Sequence, residues 1–389
     1  MPSPPLDGLR VLDLTTTIAG PHCTRLLADL GARVVKIESP EGDLMRSRPP
    51  LRDGVSSYFG HLNAGKLSMV LDLKQPAAIA VVQRLVRTAD VLVENFRPGV
   101  MQRLGLEYPV LAALNPRLIY CAISGYGQTG PSAGLPAYAP TIHASSGYDL
   151  AHLYYQDGRT KPDNNGIFIA DVLSGTYAFG ALLAALHQRT ATGRGQLVDV
   201  SMLESMLTMT LSEIQRAQFT LPPPGRPMFG PVETKDGYIM LAVASERTWE
   251  GTARAAARQD WLTDPRFAAY PDRRRNWHLL IGELEQWSRM LTTAECHAAF
   301  DRCGVPVSPY RTVEEAMADP QLAHRQAFAE VVDAAGTFKV LNPPFRFSDA
   351  PAAARPFASA LGEHGAEVLA EAGYSAEEIE ALRKDRVLG

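Results

Sequence analysis

What this sequence lacks narrows its function before any motif is read. It has no basic excess: 38 Lys and Arg stand against 42 Asp and Glu, for a formal net charge of -4. That balance argues against a nucleic-acid partner, which would usually call for a cationic face. It is poor in cysteine, with four in 389 residues. Cys23, Cys121, Cys296 and Cys303 make no C-x-x-C pair and no zinc-type spacing, so neither a disulfide framework nor a metal site is expected, and a cytoplasmic location fits. The neighbours Cys296 and His297 read as two helix residues. The N-terminal MPSPPLDGLR lacks the charged-then-apolar pattern of a secretory signal. Its longest apolar stretch, from Phe168 to Leu186, is interrupted by Asp171, Ser174, Thr176 and two glycines, so a buried helix carrying one unusual acid is expected rather than a membrane span. No P-loop, G-x-S-x-G elbow or H-E-x-x-H motif occurs. Acyl chemistry would need some other nucleophile.

What is present is an ordinary globular composition, 46% hydrophobic and 21% charged, in a chain long enough for two domains. LRVLDLT, GPHCTRLLADLG and ARVVKIES read as strand, helix and strand, with Gly20 and Pro21 opening the helix and Gly31 closing it. The alternation continues through LSMVLDL, a helix from 76 to 88, DVLVEN, a short helix around 100 to 104, and RLIYCAIS. The pattern predicts an α/β fold with a mostly parallel, Rossmann-like sheet covered by helices on both faces. Residues 125–140, rich in Gly, Pro, Ser and Ala, read as a long loop. The proline-rich segment 221–231 reads as a linker. The expected organisation is a large domain over 1–220, to which 325–389 returns, and a smaller α+β domain over 232–324. The triplet Arg273, Arg274, Arg275 reads as a solvated helix start. The tail YSAEEIEALRKDRV carries a Ser cap, acids in its first turn and bases in its last, which marks a terminal helix.

Candidate chemistry is sparse. Gly125, Gly127 and Gly130 spell G-x-G-x-x-G after a strand, with Asp149 nearly where a ribose-binding acid would stand, but Pro131, Gly134 and Pro136 replace the helix that such a site requires. Asp171, flanked by apolar residues in GIFIADVLSGTYAFGALLAALHQR, is costly there unless it is paired or used. It reads either as a helix N-cap or as a nucleophile, and backbone N–H groups at the helix start would lower its pKa and keep it ionised in both cases. Tyr138 and His143 sit in or beside the long loop and could face a substrate or be structural; His22, after AGP, carries the same ambiguity.

The ordered blocks AGPHCTRLLADLGARVVKIE, NAGKLSMVLDLK, ADVLVENFRPGVMQRLG, NPRLIYCAISGYGQTGP, ADVLSG, TGRGQLVDVSM, CGVPVSPYRTVEEAMADPQ and LGEHGAEVLAEAGYS span nearly the whole chain. Together they resemble the class III CoA-transferase family, which includes formyl-CoA transferase and carnitine CoA-transferase and is related to α-methylacyl-CoA racemase. The resemblance implies that Asp171 is the nucleophile and that two ring-like subunits interlock as a homodimer. It implies CoA contacts at Ile18, Ala19, Leu71, Lys74, Asn95, Phe96, Arg97, Arg103 and Tyr138, of which Lys74, Arg97 and Arg103 suit the phosphates of CoA. It also implies acyl-substrate positions at His143 and Ala139. No resident cofactor or metal is implied, only a CoA thioester as co-substrate.

The sequence departs from two branches of that family. Racemase members carry a catalytic histidine where this chain has Tyr138 and an acid where it has Ala139. Formyl-CoA transferases carry glutamine at Ile18, lysine and glutamate at Pro136 and Ala139, and a glycine run that GRPMFGP lacks, which argues against oxalate. The loop LPAYAPTIHASSGYD is closer to members that act on C4 and C5 dicarboxylates. The expectation is transfer of CoA from an acyl-CoA donor to such an acid through an aspartyl anhydride and an aspartyl-CoA thioester, with 2-methylacyl-CoA epimerisation as the alternative.

Overall fold

The computed structural model describes residues 3–156, 158–163, 165–221 and 227–389. Its centre is a six-stranded sheet built from β1 (Arg10–Asp13), β2 (Arg33–Glu38), β5 (Leu67–Val70), β6 (Val91–Glu94), β7 (Ile119–Ser124) and β8 (Leu197–Ser201). The small hairpin of β3 (Leu51–Arg52) and β4 (Val55–Ser56) lies outside this sheet. The strand order is β5-β2-β1-β6-β7-β8 and every pairing is parallel. The expected α/β class with a parallel sheet is therefore what the chain adopts.

The strands form because both of their faces are buried. All residues of β5, β6 and β7 are inaccessible, the pattern expected of a parallel sheet covered by helices. Leu12, Val35, Ile37, Met69, Leu92 and Tyr120 point to one face and pack with α3 (Pro76–Val86), α5 (Tyr108–Leu114) and the C-terminal helices Gly365–Glu371 and Ala376–Lys384. Val11, Val34, Val91, Val93, Ile119 and Cys121 point to the other and meet α1 (Ala19–Asp29) and α8 (Ile169–Thr192). Single-residue alternation along each strand divides the two cores.

The helices α2 (Ser57–Asn63), α4 (Val100–Leu104), α6 (Ala139–Ser145), α7 (Tyr148–Tyr154) and α9 (Met202–Leu207) are short and sit at the ends of the strands. The loop expected over 125–140 runs without helix or strand until Ala139, so no helix opens at Gly130. Although α8 is long and apolar enough to cross a membrane, Ala170, Ser174, Ala178, Leu182 and Ala185, at helical spacing, are buried. It lies tightly on α1. A Cβ at Gly175 would fall 2.4 Å from the Ala19 carbonyl oxygen, so only glycine permits that crossing.

The chain divides into two compact units, Met1–Gln218 with Leu322–Gly389, and Phe219–Gln321. Of the segment read as a linker, residues 222–226 lie outside the described residues, and Phe229 to Pro231 belong instead to β9 (Phe229–Glu233). That strand is the edge of an antiparallel sheet with β10 (Tyr238–Ala242) and β11 (Val307–Pro309), a position that tolerates a proline. Arg273 corrects the reading of a solvated arginine triplet. It is fully buried, donates to the Phe267 and Ala268 carbonyls, pairs with Glu246 and lies over the Trp249 ring. The chain then returns to the first unit, where β12 (Phe328–Asp333) and β13 (Gly336–Leu341) form a hairpin.

Candidate active site

The sheet order reverses between β1 and β6, and in open α/β sheets the crevice at the carboxyl ends of such a strand pair is the usual ligand site. Two connections meet there. After β1 come Thr15, Thr16 and Thr17, then Ile18 and Ala19 at the start of α1; after β6 come Asn95, Phe96, Arg97 and Pro98. A cleft of about 280 Å³ lies over them and is also lined by Ser124, Gly125, Tyr138, Met202 and Asp171.

Asp171 is the third residue of α8, two positions past its start, and Phe168 holds the N-cap position. The N-cap reading of Asp171 therefore does not hold. Its carboxylate receives the backbone N–H of Ala19 and its own N–H, yet its pKa is raised to about 6, because burial outweighs those bonds. The expectation that the N–H groups would lower it is corrected: they limit the rise. It remains mostly ionised at pH 7. Tyr58, from α2, was not singled out in the sequence. Burial and the nearby Asp171 charge both push its phenol up. His22, whose Nε2 is 3.2 Å from the Thr176 hydroxyl, is pushed down to about 4 by burial and by Arg25.

The structure brings Ala19, Asn95, Phe96, Arg97 and Tyr138 into one cleft with Asp171. Arg97 and Tyr138 are exposed. Ile18 is buried as the residue before α1. Leu71 lies wholly within the core, so its side chain is closed to a ligand. Lys74 and Arg103 are exposed but do not line this cleft. His143 is buried, packs on Tyr148, and its Nε2 accepts the N–H of Ala170 at 3.1 Å. Its Nε2 lone pair is thus committed to the start of α8, and burial favours its neutral form. Ala139 is likewise buried.

Beneath the cleft lies a charged cluster that sequence reading missed. Asp13 takes Lys66 at 3.0 Å and the hydroxyls of Thr15 and Thr24; Lys66 also donates to the Pro21 carbonyl and to Asn63. Lys36 pairs with Asp43 at 3.0 Å. Burial would raise the Asp13 pKa, but Lys66 and Lys36 outweigh it and hold it well below the usual carboxylate range. Burial pushes Lys66 down to about 8 against the pull of Asp13. Glu94, pushed up to about 7 by burial, accepts the Phe96 N–H at 2.8 Å and braces the β6 loop. The only sequence signal was an Asp ending a strand and a Lys opening one. Among the described residues no group of His, Cys, Asp and Glu could hold a metal ion.

A partly buried carboxylate beside a helix N-terminus in a switch-point cleft can chemically do one of two things, accept a transferred group or move a proton. Comparison with known proteins decides the class. The family model for CoA-transferase family III matches residues 6–365. The chain is 34% identical over 393 residues to a succinate–glutarate CoA-transferase of Agrobacterium fabrum, covering 95% of this chain and 96% of that one. It is 36% identical over 379 residues to an acetyl-CoA:oxalate CoA-transferase of Acetobacter aceti, with coverage of 95% and 96%. A crystal structure of a CAIB/BAIF family protein from Brucella suis superposes with a TM-score of 0.84 at 32% identity, over 96% of this chain and all of that one. The chain belongs to CoA-transferase family III, and it is an enzyme that transfers CoA.

Proposed function

We propose that this enzyme moves CoA from an acyl-CoA to a C4 or C5 dicarboxylic acid, with Asp171 as the nucleophile. The observation that carries the reading is the Asp171 carboxylate, half buried at the α8 start, bonded by the Ala19 N–H and facing a cleft that also holds Arg97. A carboxylate stripped of water and still ionised is a stronger nucleophile than one in solution. The dicarboxylate assignment is supported by the succinate and glutarate named for the Agrobacterium relative. The oxalate named for the Acetobacter relative makes oxalate the acid to test against it.

In this mechanism a carboxylate oxygen of Asp171 attacks the thioester carbonyl carbon of the donor. Backbone N–H groups at the helix starts stabilise the tetrahedral oxyanion. The C–S bond breaks, leaving a mixed anhydride and CoA thiolate. The thiolate attacks the Asp171 side-chain carbonyl, releasing the donor acid and forming an aspartyl-CoA thioester. The acceptor carboxylate then attacks that carbonyl and expels the thiolate, which attacks the acceptor's acyl carbon. This forms the new acyl-CoA and returns Asp171 as a carboxylate. No net redox change occurs, and one thioester is exchanged for another.

Ala19, Phe96, Arg97 and Tyr138 would frame the pantetheine arm, and the exposed Lys74 and Arg103 would serve the phosphates at the far end of CoA. The unit Met1–Gln218 with Leu322–Gly389 would be the CoA-binding part. A homodimer of interlocked subunits is part of the same reading. Its support is the uncovered apolar surface on and around α8: Ile167, Val172, Tyr177 and Leu211 are all exposed. A largely apolar cavity of about 530 Å³ beside the helix, walled by Leu26, Leu62, Val172, Phe179 and Phe345, would receive a segment of the second subunit. The epimerase alternative needs an acid–base partner opposite Asp171, and the buried Ala139 supplies none.

The test is mass spectrometry of the protein exposed to succinyl-CoA, acetyl-CoA and oxalyl-CoA in turn. A CoA adduct on Asp171, and transfer to succinate or glutarate abolished by Asp171→Ala, is expected. Undiminished transfer in that variant, or α-deuterium exchange without any adduct, would sink the nucleophile.

A further inference from the structure

The turn joining β1 to α1 is held residue by residue by side chains from β1, β2 and the loops after β2 and β6. The Thr15 N–H donates to Asp13 at 2.9 Å, and the Thr15 carbonyl accepts from Lys36 Nζ at 2.7 Å. The Thr16 N–H donates to Asn95 Oδ1 at 2.8 Å, while Asn95 Nδ2 donates to the Thr16 carbonyl, also at 2.8 Å. The Thr17 N–H donates to Asp43 Oδ1 at 3.2 Å. Thr17 stands at φ 65°, in the left-handed region, which a β-branched residue adopts only when its surroundings impose it. A Cβ at Gly20 would fall 2.3 Å from the Thr15 Cβ, so the first turn of α1 is also pressed against this loop.

Two residues beyond Thr17, the Ala19 N–H reaches the Asp171 carboxylate. Whatever fixes the turn fixes that donor. Lys36, Asp43 and Asp13 are buried deep beneath it and are needed for the fold itself. Asn95 is different: it is only partly buried, stands at the end of β6 on the other side of the switch point, and spends both ends of its carboxamide on one backbone unit of the turn.

We propose that Asn95 is a positioning residue, whose side chain clamps Thr16 and thereby holds the Ala19 N–H against the Asp171 carboxylate instead of gripping the coenzyme. The inference rests on Asp171 being the nucleophile. The other groups that face Asp171 do little to balance its charge. The Tyr58 phenol from α2 is pushed up, and His22 from α1 is pushed down; both are neutral at pH 7. His143 from α6 is neutral and committed to the Ala170 N–H, while Arg97 lines the outer cleft. Backbone N–H groups are thus the counterweight to burial, and weakening one raises the carboxylate's pKa.

The experiment is the pH dependence of the rate at which the aspartyl-CoA adduct forms with succinyl-CoA, followed by quenched-flow mass spectrometry in the wild type and in Asn95→Ala. The acid limb is expected to move up by about one pH unit. The variant would then be about tenfold slow near pH 5 and close to wild type above pH 8, with an unchanged circular dichroism spectrum. Should Asn95→Ala fold poorly, Asn95→Ser, too short to span both ends of Thr16, is expected to show the same shift. A uniform loss of rate at all pH values, or a raised KM for succinyl-CoA with an unmoved acid limb, would overturn the proposal and return Asn95 to the coenzyme site. Absence of any adduct in the wild type, with succinyl-, acetyl- or oxalyl-CoA, would instead overturn the Asp171 reading on which it depends.

Discussion

Asp171 is held in its ionised form at a cost to the fold. Its pKa is about 6 in the folded chain against an ordinary 3.8, so between those values the folded state binds the extra proton. Stability contributed by this group is therefore full below pH 3.8 and is lost as pH rises through 6. Asp171→Asn removes the loss. It is expected to raise the unfolding free energy from urea denaturation at pH 8 by up to about 3 kcal/mol, and to leave it nearly unchanged at pH 4. Equal effects at both pH values would show that burial does not raise this carboxylate. Asp171 was legible in the sequence because an acid in an apolar helix stands out. Tyr58 was not, because a tyrosine in SSYFGH carries no signal until α2 brings it to α8. His143 shows the converse. The sequence left this histidine open between facing a substrate and a structural role, and only the structure reveals that its ring accepts a backbone N–H.

The crossing of α1 and α8 decides where Asp171 can stand. Because a Cβ at Gly175 would sit 2.4 Å from the Ala19 carbonyl, Gly175→Ala is expected to force the helices apart. The stability loss should be about 1–3 kcal/mol, with a fall in adduct formation as the Ala19 donor moves from the carboxylate. A variant with wild-type stability and rate would show that the close approach is dispensable. Elements with continuous apolar runs were readable: β1, α1, β2, β6 and β7 carry such runs in the core, and Ser375 caps the final helix as its sequence indicates. The short helices α2, α6 and α7 were not, since a few turns are stabilised by packing and not by intrinsic propensity. Burial of Arg273 was invisible for a related reason. Its carbonyl partners, Phe267 and Ala268, are exposed as acceptors only by the local turn.

For the whole molecule, the strand order β5-β2-β1-β6-β7-β8 places the loops after β1 and β6 side by side, and the site follows from that reversal. The apolar surface left open around α8 leads to the expectation that the protein is a dimer in solution. Light scattering after size exclusion should give twice the chain mass down to submicromolar concentration, and a monomer at micromolar concentration would sink the interlocked arrangement. Sequence alone determined the class of fold, since alternating apolar runs and helix signals are local and repeat along the chain. It also singled out Asp171 as an acid in an apolar helix, since composition and period are local too. Which face of α8 that acid occupies, which backbone N–H meets it and whether burial or hydrogen bonding sets its charge were decided by tertiary structure. Those quantities depend on groups from β1, β6, α1 and α2 that are distant in sequence and meet only when the sheet closes around its switch point.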